Sequence, residues 1–271
     1  MLATASSDNR IRIYSIENGA YSLLTEIAEH SGPVWRVSWS HPKFGSLLAS
    51  CSYDGSVKIF DILKDKSYKV IYTYIGHNSS VNAVEWGPCE YGPLLATASS
   101  DGNVSIIYPN NDGEWTSQQV IVCQRGCNAV SWCSFQPNTK ESRSVLQLAV
   151  AAGDTFVYIL KCIGSPSNPW EIETKLSGHT DPVRDVAWSP FIGITSNVIA
   201  SCGRDRQLII WRQKSEETWV NTFNYHYTDM IWRLSWSVTG NALVVSHGMN
   251  MVDMWKENLD HSWRRIRSMS S

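Results

Sequence analysis

The chain has 271 residues, with 18% charged residues and a formal net charge of −2. That length holds one large domain or two ordinary ones and a core that needs no staples, and the charge balance lacks the basic excess usual in nucleic-acid binders. Seven scattered cysteines point to a reduced cytosolic chain. No run reaches 18 apolar residues and no leader pattern opens the chain, so no signal peptide and no transmembrane segment is predicted.

Along the chain, the first phrase runs from Leu2 to Tyr14 (LATASSDNRIRIY). It predicts strands near Leu2–Ala5, Arg10–Ser15 and Ser22–Ile27. Val34–Trp39 then introduces a second phrase, apolar, x, x, apolar, x, Trp, followed by Leu47–Phe60 (LLASCSYDGSVKIF). The pair returns as Val81–Trp86 with Leu94–Ile107, and as Cys127–Trp132 with Leu148–Leu160. It returns again as Val183–Trp188 with Val198–Trp211, and as Ile231–Trp236 with Ala242–Trp255. A last strand is predicted near Ser262–Arg267. The Trp that closes the second phrase recurs at spacings of 47, 46, 56 and 48 residues. The polar stretch from Ser134 to Ser144 accounts for the long interval.

Period-2 apolar runs bounded by turn residues read as strands. Asp54-Gly55 and Asp101-Gly102 mark tight turns between paired strands. A period in the forties with four short strands per unit is the pattern of a propeller blade. Helix should be nearly absent. The sequence thus predicts a single all-β, six-bladed domain over 1–271, with blades near 1–30, 31–76, 77–125, 126–178, 179–228 and 229–271.

The polar residues argue against an enzyme. A catalytic triad needs one cluster at one place, whereas here His, Asp and Ser recur at blade spacing. Phosphate-loop and zinc-protease motifs are absent. Cys123, Cys127 and Cys133 lack zinc-site spacing, so neither metal nor cofactor is predicted. The pairs Trp35–Trp39 and Trp232–Trp236 read as packing residues. The basic run Trp263–Arg267 reads as a final strand with solvated arginines.

These repeats resemble the WD-repeat family. The resemblance implies a structural network pairing His30 with Asp54, His77 with Asp101 and His179 with Asp205, with Phe60, Trp211 and Trp255 closing third strands. Around Asp154 no Gly-His occurs, and Gly248 and Asn250 stand where a turn Asp belongs, so those blades should lack the network. Within the family, Gly32–Phe60, Gly126–Trp132, Gly178–Cys202 and Trp232–Trp263 are similar to the small propeller subunit of the COPII vesicle outer coat.

Members of that group carry about thirty residues ahead of the point matching Met1, which supply the inner strand of the first blade. The sequence therefore predicts an incomplete first blade and a propeller left open. An open propeller invites strand addition by another chain. The candidate partner-blade interface is Leu2, Thr4 and Ile11 with Trp232, Trp236 and Trp255.

The resemblance implies a rod-shaped coat partner that donates a blade in trans. It further implies sharing with a scaffold nucleoporin of the nuclear-pore Y complex and with subunits of a nutrient-signalling complex. The implied locations are the cytoplasm, COPII vesicles and endoplasmic-reticulum membrane, the nuclear pore, and the lysosome or vacuole surface. The alternative is a peptide-binding substrate receptor of a ubiquitin ligase. It is disfavoured because Phe60–Leu63 lacks the adaptor-binding Arg and Trp211–Lys214 lacks the preceding Asp.

Overall fold

A computed structural model describes residues 1–134, 145–190, 196–214, 218–258 and 260–270. Among them are 23 strands and two short 3-10 turns, Pro42–Phe44 and Cys89–Tyr91. No described helix is long and apolar enough to cross a membrane. The stretch expected as a polar excursion, beyond Ser134, lies outside the described residues.

The chain divides into two compact units, Met1–Cys127 and Asn128–Ser271. In the first, β1 (Leu2–Ala5), β2 (Ile11–Glu17) and β3 (Ala20–Ile27) form a three-stranded antiparallel sheet in that order. Next come two four-stranded sheets. One holds β4 (Val34–Trp39), β5 (Leu47–Ser52), β6 (Val57–Ile62) and β7 (Tyr68–Tyr74). The other holds β8 (Val81–Trp86), β9 (Leu95–Ser99), β10 (Asn103–Pro109) and β11 (Trp115–Ile121).

The second unit contains three more four-stranded sheets. The fourth blade is β12 (Cys127–Trp132), which begins at the boundary, then β13 (Val145–Ala152), β14 (Phe156–Ile163) and β15 (Glu171–Ser177). The fifth is β16 (Val183–Trp188), β17 (Ser196–Gly203), β18 (Gln207–Lys214) and β19 (Val220–His226). The sixth is β20 (Ile231–Trp236), β21 (Ala242–His247), β22 (Met251–Glu257) and β23 (Trp263–Ser270). These six sheets are the blades of an all-β propeller fold.

Burial explains the composition of each strand. In the second to fifth blades the second strand is covered on both faces by its neighbours, so it reads as small and apolar without alternation, whereas β1 and β21 alternate. In β5, Leu48 to Ser52 are all buried, and in β9 every residue is buried. Outer strands such as β3, β7 and β19 are largely solvent-exposed or half-buried, and β19 alternates along its later residues. Packing between blades gives apolar clusters. Ile11, Ile13 and Ile27 meet Val34, Leu48 and Phe60 in the first unit. Leu208 and Ile210 meet Ile231, Leu243 and Trp255 in the second.

A repeated irregularity sets the rim of the blades. Pairing slips by one residue at Val34/Arg36, Val81/Ala83, Val183/Asp185 and Ile231/Arg233. A bulge of this kind turns the extra residue out of the ladder. Trp35 and Trp232 occupy the extra position, which is why these large rings stand 43% and 42% exposed.

Candidate functional site

Three blades carry the same polar chain. His30 Nδ1 lies 3.0 Å from Asp54 Oδ2, and its Nε2 lies 2.7 Å from Ser50 Oγ. His77 stands 2.9 Å from Asp101 and 2.8 Å from Thr97. His179 stands 2.9 Å from Asp205 and 2.8 Å from Ser201. A carboxylate only accepts, so each Nδ1 donates to its aspartate, and each Nε2 meets the Ser or Thr hydroxyl. In the fifth blade the chain extends one step further, because Trp211 Nε1 donates to Ser201 Oγ at 2.8 Å.

The turn that follows holds each aspartate. Ser56, Asn103 and Gln207 donate backbone N–H groups to Asp54, Asp101 and Asp205. Ser31, Asn78 and Thr180, each one residue past the histidine, donate to the other carboxylate oxygen. Burial pushes the Asp54 carboxyl up, but the Ser56 and Ser31 donors and His30 outweigh it and hold it down to about 2. Burial pushes His30 and His77 down, more than their aspartates raise them. These are stabilising chains inside blades, with each histidine side chain at most 1% exposed.

Two blades replace the chain. Around Asp154, the carboxylate accepts from the Tyr158 hydroxyl at 2.5 Å and the Phe156 N–H at 3.2 Å. In the sixth blade, Asp253 lies 3.4 Å from His247 and 3.0 Å from Arg265 on β23. The sequence reading missed this trio. Its signal was the pairing of β22 with the basic run, which a register argument could have found.

The candidate interface residues divide. Leu2 is 39% exposed, and Thr4 is exposed on the same strand. β1 pairs with β2 only, so its other edge has no strand partner among the described residues. Trp232 lies on the rim, donates to the Gly248 carbonyl at 3.1 Å, and has the Arg184 guanidinium 5.3 Å over its ring.

Ile11, Trp236 and Trp255 need correction as interface residues. Ile11 is 1% exposed and belongs to the core beneath β4. Trp255 is 4% exposed and donates to the Tyr227 hydroxyl at 2.7 Å. Trp236 is half-buried, donates to the Ala187 carbonyl at 3.0 Å and packs against Trp263. All three are spent within the chain, because repeats place the same apolar position against the next blade.

Among the described residues no three His, Cys, Asp or Glu side chains converge to hold a metal. The strand residues Cys51 and Cys202 are buried, and the Cys51 thiol donates to the Arg36 carbonyl at 3.7 Å.

Six antiparallel blades, three of them braced by a His–Asp chain, define a WD-repeat β-propeller. The family model "WD domain, G-beta repeat" matches residues 21–61, 68–107 and 170–212. The chain is 40% identical to the Drosophila melanogaster "Protein SEC13 homolog", over 98% of this chain and 77% of the fly protein. It is 40% identical to the Yarrowia lipolytica "Protein transport protein SEC13", over 97% of this chain and 90% of that one. It is 43% identical to the Scheffersomyces stipitis protein of the same name, over 97% and 90%. The chain belongs to the SEC13 family, and its role lies in protein transport as a WD-repeat subunit, structural rather than enzymatic.

Proposed function

We propose that this protein is a scaffold subunit of the COPII outer coat, acting in endoplasmic reticulum to Golgi transport, and that it binds a rod-shaped partner that inserts a blade in trans against the edge of the first blade. The observation that supports this is that each of the six sheets is built from consecutive strands, the sixth completed by its own β23, so that among the described residues no sheet is shared between the first and last strands. An unpaired edge gains backbone hydrogen bonds when another chain adds a strand. Apolar burial adds to that gain, since Ala3 and Ala5 lie over the Ile11–Phe60 core. A contact of about 1,000 Å² or more would be stable. The transport names of the relatives fit such a role.

The same surface would serve a scaffold nucleoporin of the nuclear-pore Y complex and a nutrient-signalling complex at the lysosome or vacuole. The cellular location proposed is the cytoplasm, with peripheral attachment at vesicles, the endoplasmic reticulum and the pore. Affinity purification followed by mass spectrometry tests the proposal. Recovery of the coat rod protein supports it. Recovery of ubiquitin-ligase adaptors alone overturns it in favour of a substrate receptor.

A further inference from the structure

The turn between β21 and β22 departs from its counterparts in the second, third and fifth blades. By register, His247 faces Ile231 as Ser52 faces Val34, Ser99 faces Val81 and Gly203 faces Val183. An imidazole thus stands where those blades hold a hydroxymethyl group or a hydrogen. Two residues on, Met249 takes the place of Asp54, Asp101 and Asp205, and Met251 opens β22. The segment reads His247-Gly248-Met249-Asn250-Met251, one imidazole and two thioethers at alternate positions.

His247 and Met251 are a cross-strand pair, so their side chains leave the same face of the sheet. Gly248 and Asn250 both have positive φ, at 53° and 63°, which turns the chain tightly on either side of Met249. Trp232 Nε1 clamps the turn by donating to the Gly248 carbonyl at 3.1 Å. The result is a pocket of about 570 Å³ whose wall includes His247, Met249, Met251 and Trp232. Met249 is 93% exposed, so packing within the chain does not account for its side chain.

His247 is the group that needs an explanation. It is only 8% exposed, and neither ring nitrogen makes a hydrogen bond among the described residues. Burying a polar group without such a bond is costly. The Tyr227 ring, 4.4 Å away between centroids, fixes the imidazole plane. Nε2 stands 3.4 Å from Asp253 Oδ2, and Asp253 is held in turn by Arg265 at 3.0 Å. A histidine that binds metal through one nitrogen has the other oriented by an outer carboxylate in this way.

We propose that His247, Met249 and Met251 form a binding site for copper(I), a soft monovalent cation. Thioether sulfur is a soft donor suited to copper(I), and the set lacks the thiolates and carboxylates that zinc usually takes. All three donors are uncharged, which suits a monocation. His247 binds through Nδ1 with the Nε2 proton toward Asp253, and the two sulfurs complete a three-coordinate shell. Asp229 brings a carboxylate oxygen within 3.3 Å of where a Cβ on Gly248 would lie, which offsets the Arg184 guanidinium over Trp232. The metal enters and stays as copper(I), so no electron is transferred. The site is independent of the coat role.

The test uses the full chain under reducing conditions, with copper(I) held by a chromophoric chelator that the protein must outcompete. NMR of isotope-labelled methionine methyl groups locates the metal. An equimolar amount of copper(I) should shift the Met249 and Met251 signals and leave those of Met1 and Met269 in place. Met249→Leu, at an exposed position, should weaken binding by about tenfold or more without changing the melting temperature of the metal-free chain. Adding Met251→Leu should abolish binding, and Cys89→Ser should leave it intact. Affinity retained in the double methionine variant, or lost in Cys89→Ser, would assign the metal to other groups and overturn the site. Failure to take any copper(I) from the chelator overturns it equally.

Discussion

His179 has no solvent-accessible side-chain surface, and its bonds run from Trp211 through Ser201 to Asp205. Removing one member leaves buried polar groups unpaired, which costs more than the bond itself was worth. His179→Ala should therefore lower stability by about 3 kcal/mol, read as a lower urea midpoint with an unchanged slope. The pH dependence follows from the same chains. His30 and His77 have folded values below the ordinary imidazole value, so the unfolded chain binds more protons as pH falls. Their contribution is complete above about pH 6.5 and is lost as pH falls below it. Asp54, Asp101 and Asp205 are held below the usual carboxylate value. Their contribution is complete above about pH 3.9 and goes only at still lower pH. The melting temperature should fall between about pH 7.5 and pH 5.5, and a His77→Asn variant should show a shallower fall by calorimetry.

At the scale of the element, turns and inter-blade packing set the costs. Gly55 and Gly102 both have positive φ, at 83° and 91°. A methyl group on Gly55 would meet its nearest atom at 3.4 Å, whereas on Gly102 it would meet the Cys123 carbonyl oxygen at 2.2 Å. Gly102→Ala should thus cost about 3 kcal/mol and Gly55→Ala about 1 kcal/mol. Thermal melts of the two variants compare them directly. Most strands were legible because period-2 runs and Trp spacing report burial directly. The strand predicted near Arg10–Ser15 runs to Glu17, and the last strand runs on to Ser270. Both extend past their apolar core because backbone pairing continues after side-chain burial ends. The bulges were not legible. Nothing in Val-Trp-Arg-Val distinguishes a regular strand from one that extrudes its second residue.

For the whole molecule, six second-strand phrases against five first-strand phrases already pointed to an incomplete first blade. Ile11 and Trp255 looked available in sequence, because an apolar residue at a strand position does not say which blade covers it. Apolar burial between blades carries the stability of each unit. Ile59→Ala, at a fully buried position, should cost about 3 kcal/mol. The proposed coat role turns on whether a partner's strands reach β1. Hydrogen exchange at residues 2–6 should be compared between the chain alone and the chain isolated with its rod-shaped partner. Slower exchange there in the complex is the result that a donated strand requires. Unchanged exchange at β1, with protection appearing only elsewhere, would show that the first blade is not where the partner joins.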